Sequence, residues 1–129
     1  MAERALSVNL SASFYLSQAV VDSMVERGFG RIVHIGSITE MLGNPVQFGY
    51  GAAKAGLVGL TRSMARALAR KGVTVNCVVP GVFETDMTNA MEPSVQEAIR
   101  KLIPMGRRGR PEELAHAVVS LLDERASYI

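Results

Sequence analysis

The sequence contains no tryptophan, one cysteine and two histidines among its 129 residues, and it has no long uninterrupted run of apolar residues. The single cysteine, Cys77, has no partner for an internal disulfide, which favours a reducing compartment such as the cytoplasm. A membrane-spanning helix needs about twenty predominantly apolar residues, and no stretch approaches that length. The first ten residues include Glu3 and lack the apolar centre of a secretory signal. The sequence therefore predicts a cytoplasmic protein with no membrane partner.

The net charge is too small, and the aromatic residues are too few, to favour a nucleic-acid partner. The formal net charge is +2, and only three tyrosines and four phenylalanines are available to stack on bases. His34 lies in a strand pattern and His116 in a helix pattern, and no metal site is predicted. A composition of 48% hydrophobic and 20% charged residues is that of one globular domain or of part of one.

What the sequence does have is a regular alternation of helix and strand patterns. Several segments have apolar residues at helical spacing, and each of these segments ends at a glycine or begins next to a proline. Two β-branched runs, "RIVHIG" and "VTVNCVV", are typical of buried strands. The predicted helices are 3–27, 48–71, 92–103 and 110–124, and the predicted strands are 31–36 and 73–79. Strands that alternate with long helices predict an α/β protein with a parallel sheet covered on both sides.

The carboxyl ends of the two strands are the expected ligand site, because ligands bind outside that edge of a parallel sheet. Ser37 follows the first strand, and Pro80 and Gly81 follow the second. Tyr50 and Lys54 are four residues apart near the start of a long helix, so they share one helix face beside this edge. The small residues of "GYGAAKAG" keep that face bare, and we expect a flat group to lie against it.

Each feature alone has an ordinary structural explanation. The spacing of Tyr50 and Lys54 occurs often by chance on solvated helices, Ser37 alone would be a turn serine, and Pro80 with Gly81 would end a strand. Together, however, Ser37, Tyr50 thirteen residues later, Lys54, the preceding "GRIVHIGS" and the following "NCVVPGVFET" resemble the catalytic half of the short-chain dehydrogenase/reductase family. The resemblance extends over nearly the whole chain. It implies a partial Rossmann-type fold, a doubly wound parallel sheet with long flanking helices.

The resemblance implies four catalytic residues. Tyr50 would donate a proton to a carbonyl oxygen of the substrate, and Lys54 would favour its phenolate form and hold the ribose of the cofactor. Ser37 would donate a hydrogen bond to the same carbonyl. Asn9, in "SVNLSASF", matches an asparagine that interrupts a helix and holds a water in a proton relay. The alternative for Asn9 is a polar residue on a helix face or a local cap.

The cofactor implied by the resemblance is NADPH, with NADH as the alternative. Tyr50 and Lys54 would contact it, and Pro80 and Gly81 would bring main chain against the nicotinamide, where a side chain would collide. At the end of the same turn, Phe83 would offer its backbone to the carboxamide and Thr85 its hydroxyl.

Within the family, the chain is most similar to reductases that convert 3-oxoacyl thioesters of acyl carrier protein in fatty acid biosynthesis. Acetoacetyl-CoA reductases are close neighbours, so acyl-CoA is the alternative substrate. The family docks its acidic carrier protein with basic residues beside the mouth of the active site. One such position falls on Lys71 and the other on Gly28, next to Arg27. The family's long helices also imply a homodimer or homotetramer.

Several segments of the family pattern do not occur in the 129 residues. They are the glycine-rich Thr-Gly-x-x-x-Gly-x-Gly turn that seats the pyrophosphate, an Asn-Asn-Ala-Gly stretch, and the last strand with its glycine-rich tail. We therefore expect residues 1–129 to be the catalytic, C-terminal part of a single domain, and we expect this part alone to be inactive. A non-enzymatic truncated assembly module is the alternative.

Overall fold

The computed structural model describes residues 2–43 and 45–129. Its two strands, β1 (Gly30–Ile35) and β2 (Val73–Val78), form a parallel sheet in which Gly30 pairs with Val73 and Ile35 with Val78. The α-helices, in chain order, are α1 (Ala2–Leu6), α2 (Ala12–Arg27), α3 (Thr39–Leu42), α4 (Phe48–Leu68), α5 (Asp86–Asn89), α6 (Pro93–Leu102) and α7 (Pro111–Leu122). None of the helices in these two ranges is both long and apolar enough to cross a membrane.

The predicted alternation of helices and strands is confirmed, with differences in the first helix, at the end of α4 and in two short helices that were not predicted, α3 and α5. The first predicted helix is broken by a π-helical segment, Ser7–Ser11, and a 3₁₀ turn, Ala69–Lys71, extends α4. The short helix α3 lies between the predicted strand 31–36 and the predicted helix 48–71, where no helix was predicted. Its signal was present in the sequence, because Ser37 and Glu40 form the Ser-x-x-Glu pattern that precedes many helices.

The core lies between one face of the sheet and the two long helices. Leu68, Val73 and Val75 are buried at its centre, and α2 adds three partly buried side chains, Val21, Met24 and Val25. Because side chains alternate across a strand, Ile32 points to this core while Arg31 points to the opposite face. There the Arg31 guanidinium donates hydrogen bonds to the carbonyls of Asp123 and Glu124, just after α7. Helices therefore lie on both faces of the sheet.

A buried histidine connects β1 to both long helices. His34 is 6% exposed, with Nε2 3.1 Å from Ser17 Oγ and Nδ1 2.8 Å from Thr61 Oγ1. The Thr61 hydroxyl donates to the Leu57 carbonyl at 2.7 Å, so it accepts from His34 Nδ1–H. Nε2 then accepts from Ser17, and a neutral ring satisfies every partner. Burial lowers the pKa of His34, which favours this neutral form.

Two glycines meet where the long helices turn into the strands. Gly28 ends α2 and Gly72 follows the 3₁₀ turn, and both have a positive φ, +66° and +78°. A Cβ built on Gly72 would collide with the carbonyl oxygen of Gly28. Glycine at position 72 is therefore required twice, by its backbone conformation and by the approach of the other turn.

Candidate active site

Ser37 lies just beyond the carboxyl end of β1 and is held by the first turn of α3. Its Oγ accepts hydrogen bonds from the Thr39 hydroxyl at 3.0 Å and from the Thr39 N–H at 3.3 Å. Its carbonyl accepts from Glu40 N–H at 3.0 Å, and its own N–H donates to Glu40 Oε2 at 3.4 Å. The serine is thus fixed by its main chain and side chain together.

Tyr50 and Lys54 share one face of α4, as predicted. The Lys54 Nζ lies 5.7 Å from the centre of the Tyr50 ring. The same ammonium donates a 2.7 Å hydrogen bond to the carbonyl of Ile35, the last residue of β1. This bond ties the first turns of α4 to the strand end that precedes Ser37. The structure therefore brings Ser37, Tyr50 and Lys54 to the same edge of the sheet.

Two of the small residues around Tyr50 pack against the first helical segments of the chain, which was not predicted. A Cβ on Gly49 would lie 2.7 Å from Ala2 Cα, and a Cβ on Gly56 would lie 2.7 Å from a methyl of Leu10. The first helical segments of the chain therefore cover these two positions, and the expectation that the whole face is bare for a ligand was wrong there. A Cβ on Gly51 would have no neighbour within 4 Å.

Asn9 lies in the middle of the π-helical segment, so the predicted interruption of the helix is present at this residue. In a π-helical turn the backbone N–H bonds to the carbonyl five residues back, as Ala12 N–H does to Ser7. Asn9 Nδ2 donates to the Ala5 carbonyl at 3.1 Å, which gives that carbonyl a side-chain partner. Asn9 and Lys54 line one open cavity of about 500 Å³ together with His34 and Ile35.

The loop after β2 lies against the end of β1. Ile38 N–H donates to the Pro80 carbonyl at 3.0 Å, and a Cβ on Gly81 would meet nothing within 4 Å. The Phe83 carbonyl accepts from Thr88 Oγ1 at 2.6 Å. Thr85 is the N-cap of α5, where its side chain and that of Thr88 form a reciprocal capping box.

An apolar groove of about 700 Å³ begins at this loop. One side of the groove is lined by Pro80, Gly81 and Phe83, together with Ile38, the residue after Ser37. The other side is formed by α6, α7 and the segment between them. The apolar side chains on that second side are Ile99, Leu102, Ile103, Met105 and Leu114. The groove therefore offers a long apolar site next to the polar residues at the sheet edge.

Known proteins share both the sequence pattern and the fold around this edge. Residues 1–129 match the family model described as enoyl-(acyl carrier protein) reductase. The chain belongs to this family of short-chain dehydrogenases/reductases. It is 42% identical over 127 residues to a 3-oxoacyl-[acyl-carrier-protein] reductase of Rickettsia conorii, and 46% identical over 124 residues to one of Vibrio cholerae. These alignments cover 98% and 96% of this chain but 53% and 51% of the relatives, so the chain spans about half their length.

Solved structures share the fold of this chain. A protein from Thermus thermophilus superposes with a TM-score of 0.93 at 39% identity, over 99% of this chain and 55% of that one. A putative NAD(P)-dependent gluconate 5-dehydrogenase of Beutenbergia cavernae, with NADP bound at low occupancy, gives 0.91 at 37% identity, over 96% and 51%. The predicted family and the predicted Rossmann-type parallel sheet are confirmed.

Three other residues lie near this end of the strands although the sequence analysis did not select them. Thr39 and Glu40 contact Ser37, and the Ser-x-x-Glu pattern was the signal that could have found them. Cys77 lies beneath Gly36, where a Cβ would come within 3.2 Å of its sulfur. Burial, and then the Glu40 carboxylate, raises the pKa of this thiol, so Cys77 is a neutral packing residue at the site.

The two basic residues considered for carrier docking lie near each other, at the amino ends of the two strands, whereas Ser37 lies at the carboxyl end of β1. Arg27 and Lys71 are exposed and directly precede Gly28 and Gly72, which touch each other before the strands begin. Ser37 follows the opposite end of β1, a strand of six residues. That strand separates the two edges by about 20 Å. Within this chain, Arg27 and Lys71 therefore do not line the site around Ser37, and their role in carrier docking stays a prediction.

Proposed function

We propose that the chain is the catalytic part of a reductase that uses NADPH to convert a 3-oxoacyl thioester into the 3-hydroxyacyl thioester. The observation that supports this best is the convergence of Ser37, Tyr50 and Lys54 at the carboxyl edge of the sheet, next to an apolar groove. The names of the Rickettsia and Vibrio relatives favour acyl-carrier-protein thioesters of fatty acid synthesis, with acyl-CoA as the alternative. A cytoplasmic homodimer or homotetramer is part of the same proposal.

The side chains at this edge have the chemistry that carbonyl reduction needs. The Ser37 hydroxyl donates a hydrogen bond to the substrate carbonyl and stabilises the negative charge that develops on its oxygen. The Tyr50 hydroxyl gives its proton to the same oxygen, and the Lys54 ammonium stabilises the phenolate that remains. Asn9 lines the cavity that Lys54 also lines, and a water in the proton relay would bind there.

The loop after β2 fits the nicotinamide end of the cofactor. The open space at Gly81 allows a flat ring to approach the main chain, and Pro80 and Phe83, whose backbone would contact the carboxamide, border the same groove. Lys54, beside Tyr50, would hold the ribose, and Thr85 would add a hydroxyl while it also caps α5. When bound, the cofactor supplies the hydride.

The first experiment separates two reductions that the comparisons name. The matching family model is described as an enoyl reductase, an enzyme that saturates a carbon–carbon double bond. The Rickettsia and Vibrio relatives are named as 3-oxoacyl reductases, which reduce a carbonyl. We expect the complete gene product to oxidise NADPH with acetoacetyl thioester and to be inactive with crotonyl thioester. The absorbance of NADPH at saturating substrate measures both. Activity with crotonyl thioester alone would replace the proposal by enoyl reduction.

The same proposal places residues 1–129 in the C-terminal half of a longer domain. Its basis is the share of the relatives that the chain covers, about half. The alternative, a non-enzymatic assembly module, predicts that the gene product forms oligomers through its long helices but oxidises no NADPH. A glycine-rich turn in the same reading frame ahead of Met1 favours the enzyme.

We expect charge reversal at Arg27 or Lys71 to weaken the docking of acyl carrier protein to the complete gene product. Both side chains are exposed cations at one edge of the sheet, and an acidic partner is attracted to them. Arg27→Glu and Lys71→Glu should each raise the apparent KM for carrier-bound substrate about tenfold at low salt, with less effect at high salt. The KM for a small acetoacetyl thioester should not change.

Lys101→Glu is the matched control for this prediction. Lys101 is 73% exposed on α6, next to Leu102 of the apolar groove. If the carrier docks at the groove instead, Lys101→Glu will raise the KM for carrier-bound substrate and the other two variants will not. That result would reject docking at Arg27 and Lys71.

A further inference from the structure

We infer that Thr39 is a positioning residue, which holds the Ser37 hydroxyl in the orientation that donates to the substrate carbonyl. The inference deepens the proposed function, on which it rests. Its basis is the pair of hydrogen bonds that Thr39 donates to Ser37 Oγ, one from its hydroxyl at 3.0 Å and one from its N–H at 3.3 Å.

A serine hydroxyl has two acceptor lone pairs and one donor hydrogen. The two bonds from Thr39 occupy both lone pairs of Ser37. The remaining capacity of Ser37 is therefore to donate, and its hydrogen must point away from Thr39. A free hydroxyl would instead rotate among several partners and accept as often as it donates. Thr39 thus removes the orientations that are useless for stabilising a carbonyl oxygen.

The Thr39 bonds also strengthen the bond that Ser37 donates. Hydrogen bonds in a chain polarise one another, and an O–H group whose oxygen already accepts is a better donor. The effect matters most in the transition state, when the carbonyl oxygen gains negative charge. Loss of the Thr39 hydroxyl should therefore lower kcat and leave KM nearly unchanged.

The position of α3 explains why Thr39 reaches Ser37. Glu40 N–H bonds to the Ser37 carbonyl, and Gly43 N–H bonds to the Thr39 carbonyl, so one short helical turn starts directly after the serine. The Ile38 N–H is fixed on the Pro80 carbonyl of the neighbouring loop. Thr39 is therefore held in place by main-chain hydrogen bonds that do not involve its side chain. Because these bonds remain, replacement of the side chain should not unfold the turn.

The test compares Thr39→Val, Thr39→Ala and Thr39→Ser in the complete gene product, alone and in a Ser37→Ala background. Thr39→Val should lower kcat with acetoacetyl thioester about tenfold, the scale found for outer partners of metal ligands. Thr39→Ala should do the same, and Thr39→Ser should restore the activity. In the Ser37→Ala background, Thr39→Val should have no further effect on kcat.

Thr74→Val is the matched control, because Thr74 Oγ1 is buried with no hydrogen-bond partner in the described part of the chain. It should keep normal kcat and KM. The inference is overturned if Thr39→Val and Thr39→Ala keep full kcat, or if Thr39→Val lowers kcat equally with and without Ser37. If Ser37→Ala itself keeps full kcat, the proposed role of Ser37 fails, and the inference fails with it.

Discussion

The Tyr50→Phe form of the complete gene product is expected to lose reductase activity and to keep its affinity for NADPH. The substitution removes only the hydroxyl, and with it the proton that the carbonyl oxygen must receive. Loss of a positioned general acid costs about a hundredfold to ten-thousandfold in rate. The ring still packs beside Lys54, so the site for the cofactor ribose should be unchanged.

Lys54→Ala should reduce both the rate and the affinity for NADPH, because the ammonium is proposed to act on the tyrosine and on the ribose. It also removes the bond to the Ile35 carbonyl, so a thermal unfolding curve must accompany the kinetics. Tyr15→Phe is the control for Tyr50→Phe, since Tyr15 is 65% exposed on α2 and loses the same hydroxyl. Steady-state rates and NADPH titrations measure all three variants. A Tyr50→Phe enzyme that keeps more than about a tenth of its activity would contradict the assignment, because loss of a general acid costs more than that.

The 129 residues on their own are expected to bind NADPH weakly, to be inactive and to self-associate. Both strands of the described sheet have an unpaired edge, and such edges pair readily with other chains. Large apolar side chains are also exposed, among them Leu16 on α2, 70% exposed, and Phe48 at the start of α4, 78% exposed. The proposed cofactor contacts are all at the nicotinamide end, so none of these residues is proposed to bind the charged phosphates.

Three measurements test this second prediction on the purified 129-residue chain. They are isothermal titration with NADPH, an acetoacetyl thioester assay and sedimentation velocity, each repeated on the complete gene product. We expect the longer protein to bind and turn over, and the short chain to do neither while it sediments as a mixture of sizes. Micromolar NADPH binding by a monodisperse short chain would show that these residues build a complete cofactor site themselves.

Much of the fold could be predicted because its signals are local. Glycines at 28 and 72 end the long helices where the structure ends them, and the β-branched runs coincide with β1 and β2. The position of Ser37 at the carboxyl edge of the sheet could be predicted because it directly follows the first strand in the chain. The short helix α3 was missed because four residues are too few for an apolar period, and only the Ser-x-x-Glu pattern marks it.

Other parts could not be predicted because they depend on which distant segments meet. A run of small residues indicates close approach but does not say whether a ligand or the chain itself approaches. At Gly49 and Gly56 it is the chain. His34 was predicted to lie in a strand, but its bonds to Ser17 and Thr61 join three elements that are far apart in sequence.

The π-helical segment around Asn9 sets the rotational phase between α1 and α2. Each residue of an α-helix turns about 100° and rises about 1.5 Å, and the π-helical turn contains one residue more than an α-helical turn. Removal of that one residue would rotate Ala2–Leu6 by about 100° and shift it along the axis. Ala2 would then leave Gly49, the neighbour of Tyr50, and the start of α4 would lose this packing partner. The alignment of Tyr50 thus depends on the number of residues between positions 2 and 12, and not only on their identities.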